Sequence, residues 1–195
     1  MPWTAIALTI GCLLAVSGLV VAESRNLDAA RRFSKFAAST AFVLLALSLH
    51  AAVSAYGQLV LLALVLSWIG DVFLLSRRSV PFMSGLGSFL LAHVAFAVAF
   101  ATGALSTSAF FVGLIFASAI GVITLHWLWG WLNVPYKVAV AAYVVAIVAM
   151  CTMAIAHSAA SQSWLAAVGA VAFAASDISV ARDRFVASAF LNKAW

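Results

Sequence analysis

Residues 58–78 read QLVLLALVLSWIGDVFLLSRR, and this stretch decides whether the chain folds in water or in a lipid bilayer. The run is free of charged side chains up to residue 70, where Asp71 interrupts it, and two arginines end it. An apolar run of about 18 residues or more can cross a hydrocarbon layer roughly 30 Å thick. The stretch therefore predicts a membrane-spanning helix, in which an aspartate is costly enough to indicate a function.

The whole chain has the composition of an integral membrane protein. Its 195 residues are 67% hydrophobic and 8% charged, too few charges to cover a water-facing globule. The predicted spans are residues 4–22, 36–53, 58–75, 83–102, 107–126, 137–157 and 163–180, with residues 185–195 beginning an eighth. Short connectors leave no room for a soluble domain. We therefore expect an all-α, polytopic transmembrane helix bundle forming one domain over residues 1–195, with seven spans and a partial or truncated eighth.

The basic residues alternate between connectors and so predict an orientation. They lie in the first (Arg25, Arg31, Arg32, Lys35), third (Arg77, Arg78), fifth (Lys137) and seventh (Arg182, Arg184) connectors. The second, fourth and sixth connectors contain none. Because short cytoplasmic loops carry the excess of Lys and Arg, the amino terminus is expected outside and the basic connectors in the cytoplasm. The expected location is the inner (plasma) membrane of a bacterium, with the active site toward the cytoplasmic side. The first span lacks a basic n-region, so we expect it to be retained and not cleaved as a signal peptide.

This charge pattern also bears on partners. The net charge of +5 is spread over four short loops, whereas nucleic-acid binding needs a water-facing basic surface, so no nucleic-acid partner is expected.

Other side chains of the predicted spans suggest structural roles. Cys12 and Cys151 fall inside predicted spans and are expected to be reduced, structural thiols. The stripe Gly113, Ala117 and Gly121 in span five favours close helix packing. The adjacent WLWGWL, residues 127–132, is typical of an interfacial aromatic belt.

Three intramembrane polar side chains share one predicted depth. Asp71 lies six residues before Arg77, Asp177 five before Arg182, and Tyr143 six after Lys137. At about 1.5 Å per helical residue, all three lie roughly 8 to 9 Å inside the cytoplasmic interface. His93 lies slightly deeper. The pattern predicts one cavity lined by two carboxyls, a phenol and an imidazole, although a single buried Asp can also serve only helix assembly.

The histidines do not predict a metal site. Zinc needs three or four ligands converging at about 2 to 2.3 Å. His50 and His157 fall near outer helix ends and His126 near an inner end, so the histidines are divided between opposite faces. We therefore expect neither a metal nor a cofactor.

Several motifs together resemble one family. They are WIGDVFLL (residues 68–75), FMSGLGSFLLAHVAFAVAF (82–100) and GAVAFAASDISVARDRF (169–185), with RRFSK (31–35) and VPYKVAVAAYVVAIVAM (134–150) in support. The chain resembles the YhhN, or lysoplasmalogenase-like, integral membrane proteins over most of residues 31–185. It departs from that family at Phe96, where members usually have Tyr, and at Trp195, where members usually continue through a complete eighth helix.

The resemblance implies hydrolysis of the vinyl ether bond of a lysoplasmalogen to a fatty aldehyde and a glycerophospho-alcohol. This reaction needs an acid that protonates carbon, an anion that stabilises the oxocarbenium ion, and water. Two carboxyls in a low-dielectric cavity suit these roles because like charges resist joint ionisation. We assign Asp71 as the acid and Asp177 as the base, with His93 and Tyr143 orienting water or the ether oxygen.

The expected substrate is a lysophospholipid, an alkenyl-glycerophosphoethanolamine or -choline, taken from the membrane. Its phosphate would remain at the interface while its first chain bond lies several ångströms deeper, as inferred for the aspartates. Lys35, Arg77 and Arg182 are candidate phosphate-binding residues, since Lys and Arg bind phosphate oxygens well.

A proton-coupled transporter is the alternative, because paired intramembrane acids also form proton relays. GDVFLLSRR (residues 70–78) and SDISVARDR (176–184) are similar and hint at a duplicated half. Neither Asp-bearing span has a Gly or Pro break in its middle, which favours the enzyme. A structural or lipid-sensing protein without catalysis is a third hypothesis.

Overall fold

A computed structural model describes residues 3–25, 27–76 and 78–187. The helices are α1 (Trp3–Ser24), α2 (Asp28–Ser48), a short 3-10 helix (Ala51–Val53), α3 (Ala55–Leu74), α4 (Ser79–Ala101), α5 (Thr107–Trp129), α6 (Val134–Ser161) and α7 (Leu165–Phe185). These ranges contain no β-strand, so the all-α prediction is confirmed. Arg77 and all but the first three residues of the predicted eighth span lie outside the described residues.

Among the seven α-helices of the described residues, six, namely α1 and α3 to α7, are long and apolar enough to cross a membrane. The exception is α2, because Arg31, Arg32 and Lys35 occupy its first two turns. Its helix also ends at Ser48, before the predicted end of span two, and His50 adopts a left-handed conformation with φ 60°. The chain has the helices of an integral membrane protein, while the count of seven spans and the external amino terminus stay predictions.

Short polar side chains define where several helices begin. Ser54 accepts a hydrogen bond from the backbone N–H of Gly57 at 3.0 Å and so caps α3. Asn133 caps α6 in the same way, and Pro135 follows it in the first turn, where no backbone donor is needed. These caps satisfy N–H groups that have no partner within their own helix.

The chain divides into two compact units, with the boundary between Ala92 and His93 in α4. In the first unit, α2 packs against both α1 and α3. The Arg31 guanidinium lies 3.5 Å from the buried Glu23 carboxylate of α1 and 2.9 Å from Asp28. This ion-pair network ties the end of α1 to the beginning of α2.

In the second unit, α6 packs against α5 and α7. A buried cluster forms its core, made of Phe100, Met150, Cys151, Ala154 and Ala170. A Cβ placed on Gly113 would lie 3.3 Å from Ile155, and one on Gly121 would lie 2.9 Å from Val144. The small residues of α5 therefore do allow close approach of α6, as the sequence predicts.

Candidate functional site

Asp71 lies in the last turn of α3 and contacts two side chains of α2. Its Oδ1 is 3.2 Å from the Lys35 ammonium, and its Oδ2 accepts a short hydrogen bond from the Ser39 hydroxyl. Lys35 and Ser39 are four residues apart and so lie on one helical face. Ser39 is buried, while the Lys35 and Asp71 side chains keep 28% and 20% of their surface exposed. Both carboxylate oxygens of Asp71 thus act as acceptors.

Contacts on either side of Asp71 fix the position of α3. The indole N–H of Trp68 donates to the Thr40 hydroxyl at 3.1 Å, which sets α3 against α2. On the other side, a Cβ placed on Gly70 would lie 2.6 Å from the ring of Phe89 in α4. Gly70 is therefore required for the close approach of α4. These contacts hold the Asp71 carboxyl against Lys35.

Asp177 lies in α7 and belongs to a second polar cluster. The Nε2 atom of His93, in α4, is 3.0 Å from Asp177 Oδ2, and the Tyr143 hydroxyl of α6 is hydrogen-bonded to the same side chain. His93 is fully buried, Tyr143 is 7% exposed, and the Asp177 side chain is 13% exposed. Of the three, Asp177 has the largest exposed fraction, while its Oδ2 atom, which faces His93, is buried.

Aromatic rings enclose the His93 imidazole. The Tyr143 ring centroid lies 5.1 Å from that of His93, and the Phe173 ring centroid lies 4.6 Å from it, both in edge-on geometry. Phe173 precedes Asp177 by one helical turn. The ring centroid of Phe96 lies 6.3 Å from that of Phe173, and Phe96 stacks on Phe100 with ring centroids 6.1 Å apart. The imidazole is thus held in a fixed orientation by apolar ring edges.

The structure brings together several of the sequence-predicted site residues. It joins His93 and Tyr143 to Asp177, and Lys35 to Asp71. Arg182 is exposed in the last turn of α7, while Arg77 lies outside the described residues. Asp71 belongs to the first unit and Asp177 to the second, so their common cavity stays a prediction.

Sequence reasoning missed Ser39 and Phe173. Each lies four residues from a residue that it singled out, Ser39 after Lys35 and Phe173 before Asp177. Helical spacing was therefore the available signal. No group of three or more His, Cys, Asp or Glu side chains within residues 3–25, 27–76 and 78–187 is arranged to hold a metal ion.

A protein-family model named YhhN matches residues 30–195. The chain belongs to the YhhN family. The matched region contains both acidic clusters, and it confirms the resemblance seen in the Gly-Asp and Ser-Asp motifs. No match to this YhhN chain is found among curated proteins or among solved structures.

Proposed function

We propose that this YhhN family chain is an integral membrane lysoplasmalogenase. It hydrolyses the vinyl ether bond of a lysoplasmalogen to a fatty aldehyde and a glycerophospho-alcohol, in a bacterial plasma membrane with its active site toward the cytoplasm. The observation that carries the proposal is the Asp177 carboxyl, placed in an apolar helix with partners on two other helices. An ionisable group so placed is expensive and indicates a functional site.

The reaction balances with a single water molecule. Proton transfer to the β-carbon of the vinyl ether produces an oxocarbenium ion, in which the ether oxygen shares the positive charge. Water adds to the carbon next to that oxygen and releases a proton, giving a hemiacetal. The hemiacetal then collapses: the carbon–oxygen bond to glycerol breaks, the aldehyde forms, and the departing alkoxide takes up a proton.

Burial supports Asp177 as the group that contacts the substrate. A reacting carbon needs an accessible proton donor, and His93 has no exposed surface. On this proposal Asp177 delivers the proton, while His93 and Tyr143 position its carboxyl. This differs from the sequence-based prediction that His93 and Tyr143 orient water or the ether oxygen.

After proton transfer, the same carboxylate serves the second half of the reaction. Its negative charge lies next to the oxocarbenium ion and stabilises it, as a carboxylate does in glycosidases. It then accepts the proton of the attacking water. General acid–base assistance of this kind typically contributes about 10² to 10⁴ in rate.

The version with two aspartates, in which Asp71 is the acid and Asp177 the base, stays a prediction. Both oxygens of Asp71 accept contacts from Lys35 and Ser39, so in this geometry neither presents a proton to a substrate. That arrangement favours Asp177 as the donor. Asp71→Asn and Asp177→Asn, measured separately, distinguish the two versions.

The test compares two lipids that differ in one double bond. Purified protein in detergent is incubated with an alkenyl lysolipid or with its saturated alkyl-ether analogue, and free aldehyde is measured. Aldehyde is expected from the alkenyl compound alone, and it is expected to disappear in Asp177→Asn. Folded protein that leaves both lipids intact contradicts the proposal.

Transport is tested with the same preparation reconstituted in liposomes. Proton-coupled uptake into the liposomes, with both lipids left chemically intact, would establish that the protein is a carrier. Its structural support is weaker, because carriers typically hold their substrates where a transmembrane helix is broken. Both α3 and α7 are uninterrupted helices.

A further inference from the structure

The Lys35 ammonium retains donors after it has paired with Asp71. An ammonium group has three N–H donors. One of them faces Asp71 Oδ1 at 3.2 Å, and more than a quarter of the Lys35 side chain is exposed. The ion pair therefore fixes the direction of the ammonium and leaves it open to a second anion.

The charges around Lys35 favour such an anion. Arg31 is already matched by two carboxylates, Glu23 and Asp28. Arg32 is exposed and lies three residues before Lys35, close enough along the helix for both cations to reach one group. Arg32 and Lys35 together carry one positive charge more than the Asp71 carboxylate offsets. A phosphate oxygen is a strong acceptor for both types of side chain.

We propose that Lys35 binds the phosphate of the lysolipid and that Asp71, together with Ser39, is a positioning residue that holds the Lys35 ammonium in place. Ser39 is buried, so it acts only through Asp71. Its hydroxyl fixes one carboxylate oxygen while the other oxygen faces Lys35. The proposal rests on the proposed function for the identity of the lipid, and it gives Asp71 a role other than proton donor.

Binding is measured first, without turnover. The ligands are the saturated alkyl-ether lysolipid, which is not a vinyl ether, and the matching alkylglycerol, which lacks the phosphate. Asp71→Asn and Lys35→Met should each weaken lysolipid binding about tenfold, the effect of losing one hydrogen bond to a charged group. Ser39→Ala should weaken it less. Binding of alkylglycerol should stay the same in all three, and Lys35→Arg should retain phosphate binding.

A double-mutant cycle tests whether Asp71 acts through Lys35. If it does, Asp71→Asn has little further effect on lysolipid binding in a Lys35→Met background. Fully additive effects overturn the positioning role. The matched control is Arg78→Gln, which removes a positive charge at an exposed position outside this cluster and should leave both affinities unchanged.

Turnover provides an independent readout. With an alkenylglycerol lacking phosphate, Asp71→Asn should lower the rate far less than it does with the lysolipid, because no phosphate needs to be held. An equal loss of rate with both compounds in a folded Asp71→Asn variant overturns the positioning role and favours Asp71 as a group that takes part in the reaction. If the wild-type protein hydrolyses neither alkenyl compound, the proposed function fails, while the binding measurements still decide the role of Lys35.

A bilayer phospholipid carries the same phosphate group and is therefore the competing candidate ligand for this site. Binding is therefore measured in phospholipid-free detergent, and a diacyl phospholipid with the same headgroup is then added. Weak competition is expected for a site that takes the lysolipid. If the diacyl phospholipid competes as strongly as the lysolipid itself, the site binds lipid phosphates in general. That result overturns the proposal that Lys35 binds the phosphate of the substrate.

Discussion

His93 Nε2 and Asp177 Oδ2 lie 3.0 Å apart, and of these two side chains His93 is fully buried while Asp177 is 13% exposed. The imidazole is held between the rings of Tyr143 and Phe173 and pairs with Asp177. A buried polar group without a partner is costly, so the histidine and the carboxyl stabilise each other's position. The pair thus consists of one partly exposed side chain and one fully buried side chain.

Replacing Asp177 by Asn should abolish most of the hydrolysis. The amide keeps the shape of the carboxyl but cannot deliver and regain a proton, so the turnover number should fall by about 10² to 10⁴. Aldehyde release from an alkenyl lysolipid measures this. Asp183→Asn is the matched control, since it removes an acid from the same helix outside the cluster, and it should retain activity. Equal loss in both variants indicates general damage to α7.

Tyr143→Phe should lower the turnover number about tenfold while leaving KM unchanged. The substitution removes the hydroxyl that bonds Asp177 and retains the ring that contacts His93. One hydrogen bond to a charged group contributes about 1.5 to 3 kcal/mol. Tyr136→Phe, on the same helix with its ring against Phe185, is the control. A change in KM alone would mean that Tyr143 contacts the substrate directly.

His93→Ala should lose both stability and activity. It leaves a cavity between the rings of Tyr143 and Phe173 and removes a partner of Asp177, which together cost on the order of 3 kcal/mol. His93→Gln keeps a nitrogen donor near the carboxyl and should recover part of both. Thermal unfolding in detergent and aldehyde release are measured on the same samples. Unchanged stability in His93→Ala contradicts the supporting role.

Much of this architecture could be predicted from the sequence because apolar length and loop charge are local signals. Apolar length predicts the helices that carry Asp71 and Asp177, and the small-residue stripe of α5 packs as predicted. The ion pair between Lys35 and Asp71 could not be predicted, since it depends on how α2 packs against α3. Hydropathy marks the apolar part of a helix and not its charged first turns, so the sequence predicts Lys35 in a connector, whereas α2 begins at Asp28. Loop charge indicates on which side of a membrane a loop lies, whereas the packing of helices decides which side chains pair with each other.

Gly70→Ala should destabilise the first unit and disturb the Lys35–Asp71 pair. The added methyl group would lie 2.6 Å from the Phe89 ring, so α4 or that ring must shift next to Asp71. Gly87→Ala is the matched control in α4, where a Cβ meets nothing within 4 Å. It should be neutral or slightly stabilising, because alanine favours helix by about 1 kcal/mol over glycine. Thermal unfolding of both variants tests this, and equal melting temperatures contradict the close contact at Gly70.

The length of α2 and the Lys35–Asp71 ion pair both bear on whether α2 crosses the membrane. Its uncharged part, from Phe36 to Ser48, is only about 20 Å long at about 1.5 Å per residue, short of a roughly 30 Å hydrocarbon layer. A lysine near a helix end can extend its side chain toward the interface, and Asp71 offsets the charge of Lys35. We therefore expect α2 to span.

Cysteine labelling measures this topology directly. In a background without Cys12 and Cys151, Ala52→Cys, at the far end of α2, should react with an impermeant maleimide added to intact cells. Ser24→Cys, before α2, should react only after permeabilisation, because the basic first connector is expected inside. Labelling of both positions from the same side shows that α2 does not cross, and reversed labelling shows the opposite orientation. Arg78→Cys serves as a second inside marker that should match Ser24→Cys whether or not the orientation is reversed.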